Sequence, residues 1–286
     1  MADQVGMAEI KGENISSAVK GFALKEYKLK QVLLQQTSSK WTETYYRETA
    51  TELTPGGESF SIQGVARGAA FPHVDPSWTK VQGVHVKFAA EGLVFLEDKL
   101  TDAIDVQART ILRVARSIAN QVDSYIYTTL SGATGINTAG AVSTWDNATV
   151  ADRDPIRDIL IGIRDLAVDN YDALSNGFLL LSPADYTNLM MNSKVINNPS
   201  FKTADVVSNG VVGQIAGLKI IVSTTVTADE AMIIVGQRAA TWKGATSLSS
   251  AVIENQGVDF KIRSWEIGHC QVTDPEAIHV ITNTQA

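Results

Sequence analysis

The sequence predicts an α+β fold, and three features of the pattern carry that expectation. One long helical stripe fills residues 100–131, helices alternate with all-apolar strands across 150–236, and extended segments fill 38–92 and the chain after 237. With 286 residues, 44% hydrophobic and 19% charged, the chain can bury a substantial core. That length corresponds to roughly two ordinary domains. No apolar run approaches the roughly 20 residues that cross a bilayer, so no membrane role is expected. Lys11, Lys20, Lys25, Lys28 and Lys30 interrupt the first thirty residues, which therefore lack the unbroken apolar stretch of a secretory signal. Cys270 is the only cysteine, so no disulfide forms within the chain, and a reducing cytoplasm suits it. The net charge of −7, with no dense basic cluster, argues against strong nucleic-acid binding.

Taken in order, residues 1–37 read as an arm. Ile15, Val19, Phe22 and Leu29 or Leu33 recur at near-helical spacing, which predicts a partly helical segment with a solvated face. From 38 to about 92 the chain turns extended. "KWTETYYRETATEL" suits a strand exposed on both faces, and "TPGGES" supplies a turn through Pro55, Gly56 and Gly57. Val81, Val84 and Val86 give the returning strand. Few large apolar residues support this ribbon, and Gly64, Gly68 and Gly83 weaken it, so it must lie on something else.

In the helix that follows, Leu100, Ile104, Ala108, Ile111, Ala115, Ile118, Val122 and Ile126 form one apolar stripe, with Gly132 as the stop. Some thirty residues of helix make a rod of roughly 45 Å, apt for a spine. A loop rich in Gly, Thr and Ala leads to Asp154-Pro155, a cap followed by a first-turn proline. Ile156, Ile159, Leu160, Ile163 and Leu166 are that helix's buried stripe. "FLLL" then reads as a short strand, "SPAD" opens another helix, and "LKIIV" and "AMIIV" are further buried strands. In the tail, "AVIEN", "VDFKIRSWEIGHCQV" and "AIHVIT" are extended, and Val258, Phe260 and Ile262 alternate with charged residues.

The search for chemistry finds none. Gly213 to Lys219 resembles a damaged phosphate loop, but three residues separate its glycines, Leu218 precedes the lysine and Ile220 replaces the hydroxyl. The segment reads instead as the start of a strand. His73, His85, His269 and His279 show no metal-ligand spacing, and His269 and Cys270 point to opposite faces of a strand. No Gly-x-Ser-x-Gly elbow is present. Asp165, Asp169 and Asp172 read as a solvated helix face, and the five tryptophans are too dispersed to form a platform. No catalytic residue, cofactor site or metal site is expected.

The order of parts does carry a signal. An arm, an extended hairpin, a spine helix, an α/β lobe and a return to β structure resembles the tailed-bacteriophage major capsid protein of the Hong Kong 97 type. Within 92–132 the opening Glu97 to Ala103 follows Glu-x-x-Leu-x-Asp-Ala, and Asp123 and Gly132 stand near the helix end. Within 213–237, Ser223 and Gly236 match the family's strand, loop and strand, and Asp274 to Ile278 resembles its closing Asp-Pro-x-Ala segment.

The resemblance implies a division into an arm (1–37), an extended hairpin loop (38–92), a peripheral domain with the spine (93–131 and 237–275) and an axial domain (132–236 and 276–286). It implies a shell subunit, not an enzyme, that forms hexamers and pentamers of an icosahedral capsid around double-stranded DNA, in a virion assembled in the host cytoplasm. The hairpin, with its tip at Pro55, Gly56 and Gly57, would lie across a neighbouring copy, and the arm would reach another. Scaffolding, portal or decoration proteins, where used, would be separate chains. Lys80 and Lys87 lie in the hairpin, but no matching asparagine marks a crosslink. Two other readings stand beside this one: an encapsulin-type compartment of the same fold, and an α/β metabolic enzyme centred on 150–236.

Overall fold

The computed structural model describes residues 12–48, 64–71, 78–101, 106–196, 213–255 and 257–286. The hairpin tip at Pro55, Gly56 and Gly57 lies outside them, as do Ile104 and His73. The chain opens with helix α1 (Gly12–Glu26), then strands β1 (Leu34–Thr37), β2 (Thr42–Glu48), β3 (Trp78–Val84) and β4 (Val86–Phe95). Helix α2 (Leu96–Thr101) leads to the spine, α3 (Val106–Ser131), and to a short strand, β5 (Asn137–Gly140). Then come α4 (Pro155–Val168), α5 (Ala173–Asn176), β6 (Gly177–Leu181), α6 (Pro183–Met191) and α7 (Ser193–Ile196). The last elements are β7 (Gln214–Ile215), β8 (Leu218–Val222), β9 (Glu230–Val235), β10 (Ala240–Asn255), β11 (Asp259–Val272) and β12 (Ile278–Thr282).

These strands form three sheets. A four-stranded sheet has the order β1-β10-β11-β4, with β1 parallel to β10 and the other pairs antiparallel. A mixed six-stranded sheet has the order β5-β12-β9-β6-β8-β7, and a separate ribbon pairs β2 with β3. The sequence order explains the second sheet's mixed character. β6 reaches its parallel neighbour β8 by a helical crossover, whereas β7 and β8 are joined by a two-residue turn. Ala216 (φ 48°) and Gly217 (φ 86°) occupy that turn, both left-handed, as a type I′ hairpin requires. The stretch that resembles a phosphate loop is this hairpin.

From Val106 the spine runs 26 residues, or about 39 Å, and Leu100 of the expected stripe lies in the helix before it, α2. Ile111, Ala115, Ile118, Val122 and Ile126 are buried as expected, joined by Val114, Ala119, Tyr127 and Leu130, while Ala108 is exposed. Burying each large side chain on this stripe contributes about 1.5–3 kcal/mol. The helix starts read from the sequence hold. Asp154 caps α4 by accepting from the Arg157 backbone N–H, and Ser182 caps α6 through the Asp185 backbone N–H at 3.1 Å. The loop before α4 is pinned by fully buried Trp145, whose indole N–H donates to Asp158 at 2.9 Å.

Two expectations need correction. Residues 17–37 are not an arm detached from the body, although their helix does keep the expected solvated face at Ser17, Lys20 and Gly21. Val19, Ala23, Tyr27, Leu29, Val32 and Leu33 are buried in the chain's own core, and β1 joins the four-stranded sheet. The reason is that the helix stops at Glu26 and the chain tightens into turns, where buried Asp123 on the spine accepts the backbone N–H groups of Lys28 and Lys30 at 2.8 and 3.3 Å. The second correction concerns the hairpin's end. The ribbon stops at Val84, and Val86 to Gly92 belong to β4, paired with β11 over its whole length. His85, between them, is where the chain leaves the ribbon and enters the body.

Candidate assembly interface

The ribbon pairs Thr42 with Val84 through Glu48 with Trp78. Its strands carry alternating polar residues, so neither face has enough apolar bulk to fold alone. Apart from half-buried Tyr45, its aromatic side chains lie open: Trp41 is 57%, Tyr46 57% and Trp78 54% exposed. Tyr46 and Trp78 meet edge to face with ring centroids 6.0 Å apart, an aromatic pair that faces solvent. Exposed apolar residues of this size in one element mark an interaction surface.

At its base the ribbon is held by specific contacts. The Ser38 backbone N–H donates to the Gly244 carbonyl at 2.9 Å, and Gln271 donates to Glu43 at 3.1 Å. The Ser38 hydroxyl also donates to Glu43, and that bond, more than the one from Gln271, holds the carboxyl below its usual range while partial burial opposes it. The Trp41 carbonyl accepts the His85 backbone N–H at 3.0 Å and lies 3.1 Å from the His85 ring Nδ1. On the body side, His269 of β11 meets the Tyr125 hydroxyl through Nδ1 at 2.7 Å. Its Nε2 presses on Gly83, where a Cβ would stand only 2.3 Å away. The glycine that weakens the ribbon is thus what lets it seat.

Beneath the base lies an aromatic cluster. Tyr125 touches Phe88, Trp242 and His269, with centroids 5.5, 6.5 and 6.3 Å away. Trp242, dispersed from the other tryptophans in sequence, is brought into this cluster and is 2% exposed. A buried ionic group adjoins it: Tyr27 and Lys30 both bond Glu266, and the Lys30 ammonium lies 4.5 Å from the Tyr27 ring and 5.3 Å from that of Trp242. Burial, then the Glu266 charge, drives the Tyr27 hydroxyl far above its ordinary value. Sequence reasoning missed this group, yet a signal existed. Glu266 shares strand parity with Ile262 and Cys270, the buried side of β11, where a lone charge demands a partner.

His279 is buried in β12, 3.9 Å from Asp165, and neither ring nitrogen has a hydrogen-bond partner. Burial first, then Arg164, holds its pKa below the ordinary range against Asp165. Asp169 accepts from Asn137 at 2.7 Å, and Asp172 caps α5, so those carboxylates support backbone and loop. Burial alone drives the Cys270 thiol up to about 12, which makes it a packing residue. Among the described residues no cluster of His, Cys, Asp and Glu could hold a metal ion, and no helix is long and apolar enough to cross a membrane.

The family model for phage capsid protein matches residues 92–281, more than half of the chain. The chain belongs to the phage capsid protein family. No curated protein matches it in sequence. Solved structures share the fold of this capsid protein. The virus-like particle from Pyrococcus furiosus is 15% identical with a TM-score of 0.63, covering 94% of this chain and 98% of that one. The capsid of Cyanophage P-SCSP1u is 12% identical with a TM-score of 0.66, covering 88% and 86%. Mycobacterium phage Che8 gives 16% identity and a TM-score of 0.64, with 86% of both chains covered. The architecture is the α+β capsid fold of the Hong Kong 97 type, and the role of the capsid protein is to build the shell.

Proposed function

We propose that the capsid protein closes its shell through pentamers and hexamers in which each ribbon lies across a neighbouring copy. The observation that carries this reading is the ribbon itself, seated on the body at its base and exposing Trp41, Tyr46 and Trp78. Rings of identical subunits joined by heterologous contacts give closure, and several modest contacts per subunit give strength. On this reading the four-stranded sheet and spine form the peripheral domain. The six-stranded sheet, which recruits β5 and β12 from distant parts of the sequence, forms the axial one near the symmetry axes. The shell encloses double-stranded DNA without gripping it, in a virion assembled in the host cytoplasm, and the subunit has no catalytic role. Portal, scaffolding or decoration proteins are separate chains.

Negative-stain microscopy of the expressed full chain tests this: closed particles built of rings are expected, and a uniform small oligomer at every concentration overturns it. The likeness to the virus-like particle from Pyrococcus furiosus favours a second reading, a compartment shell. Absorbance of particles purified from their natural source separates the two, since packaged DNA gives a nucleic-acid spectrum and a compartment gives a protein one.

A further inference from the structure

We propose that the base of the ribbon is an acid-sensitive latch, in which the neutral ring of His269 on the body holds the hinge of the ribbon at His85 and its protonation releases the ribbon. His85 is the single residue between β3 and β4 and is 2% exposed, so it sits at the hinge of the ribbon and inside the protein. His269 faces it from β11, with the ring centroids 6.3 Å apart. Both Nε2 atoms are buried without a hydrogen-bond partner.

The proton inventory of the site explains why a neutral His269 ring suits it. The Trp41 carbonyl can only accept, so the His85 Nδ1 that lies against it carries the hydrogen, and Nε2 keeps a bare lone pair. The Tyr125 hydroxyl and His269 Nδ1 share one hydrogen, while His269 Nε2 is aimed at Gly83. Whichever tautomer the neutral His269 ring adopts, its cation would hold a charge and an N–H at Nε2 without an acceptor in a closed space, which is costly.

The surroundings cannot absorb that charge. From β2 the facing groups are Glu43 and the ring of Tyr45; from the spine, Tyr125; from β10, Lys243, which acts on Glu43; from β11, Cys270, which acts on Tyr125. Glu43 is the lone carboxylate of this group, already bonded to Ser38 and Gln271, and its pull on His269 is outweighed by burial. Burial, then the neighbouring His85, hold the His269 pKa below its ordinary value of 6.5, against a pull upward from Glu43. A ring with a depressed docked-state pKa binds its proton better once released. Docking is therefore fully present above about pH 6.5 and weakens as pH falls below it.

The latch belongs to a single subunit, so its test is independent of the shell reading. Failure of particles to form leaves it standing, and its own failure leaves particle formation untouched. Amide hydrogen exchange on the unassembled full chain, corrected for intrinsic rates, compares the ribbon base (42–45 and 81–85) at about pH 7.5 and about pH 5. Expected is a loss of protection approaching tenfold per pH unit for each proton taken up, with the spine and β12 unchanged. The double variant His85→Gln/His269→Gln, neutral at both pH values, keeps its protection at the lower one. Should that variant fail to fold, NMR titration of the wild-type His269 ring serves instead, and release must follow that titration. Equal protection of the wild-type base at both pH values overturns the latch, as does release of the double variant with the wild-type midpoint or release that does not track His269.

Discussion

Glu266 and Asp123 are both buried carboxylates that receive the residues just after α1, by different means. Glu266 is 1% exposed and bonds Tyr27 and Lys30, so its removal strands a buried ammonium and a phenol together. Breaking such a pair from one side costs about 3–5 kcal/mol. Glu266→Ala should therefore lower stability by about 3 kcal/mol in urea unfolding, at the low end because Lys30 keeps 14% exposure. Asp123 instead accepts backbone N–H groups, at the cost of a carboxyl that burial pushes above its usual range despite them. Asp123→Ala should cost about 2 kcal/mol, and amide exchange at Lys28 and Lys30 should speed up more than at any spine residue. His279 adds a pH term. Its folded pKa is depressed, so the unfolded chain takes up the proton first, and stability conferred by the neutral ring fades as pH falls below about 6.5. His279→Leu, which removes the ring without adding charge, should flatten the slope of stability against pH in that window, measured by urea midpoints from about pH 7 to about pH 5.

The ribbon depends on its base, and Gly83 sets the fit. A Cβ there would meet the His269 ring at 2.3 Å, within a site closed by Tyr125 and Tyr45. Gly83→Val should lift the ribbon from the body while leaving both larger sheets intact. The thermal midpoint should then change little, whereas particle formation by microscopy should be lost. A large fall in the midpoint would instead make the ribbon part of the core. The elements that the sequence revealed best are those whose local signals agree. Asp154-Pro155 and Ser182-Pro183 mark helix starts by capping chemistry, and the spine stripe marks itself by period. At Ala216-Gly217 the sequence already spoke against a phosphate loop, and the positive φ values supply what it did not show, a tight hairpin turn between β7 and β8. The arm misled because Val19, Leu29 and Leu33 fit a helical period, yet what buries them is packing on the distant spine and β10, with Asp123 of the spine holding the turn at Lys28 and Lys30, contacts no local pattern encodes. The hairpin's end was misplaced for a similar reason. Val81, Val84 and Val86 read as one strand, and only pairing with β11 assigns Val86 to the body.

For the capsid protein as a whole, the decisive quantity is charge rather than any pocket. The chain carries 24 basic and 31 acidic residues, a net charge of −7. Phosphate neutralisation supplies nearly all non-specific affinity for DNA and requires a concentrated basic face. Several of the cations here are already engaged within the subunit: Lys30 with Glu266, Arg116 with Glu26, Lys194 with Asp154, Arg238 with Asp274 and Arg263 with Glu91. Apart from the buried Lys30–Glu266 pair, exposed pairs of this kind add little stability, but they lower the field that a nearby polyanion meets. On the proposed reading of a DNA-filled shell, a wall of such subunits would let the polymer move against it during filling, where a basic wall would bind and stall it. Gel shift of the unassembled subunit on double-stranded DNA should accordingly show no complex at micromolar protein and physiological salt. Lowering the salt should strengthen binding only slightly, because few counterions are released. A steep salt dependence, of the order expected for six to ten phosphate contacts, would mean that a basic surface forms on the subunit after all, and that the shell holds its DNA by attraction.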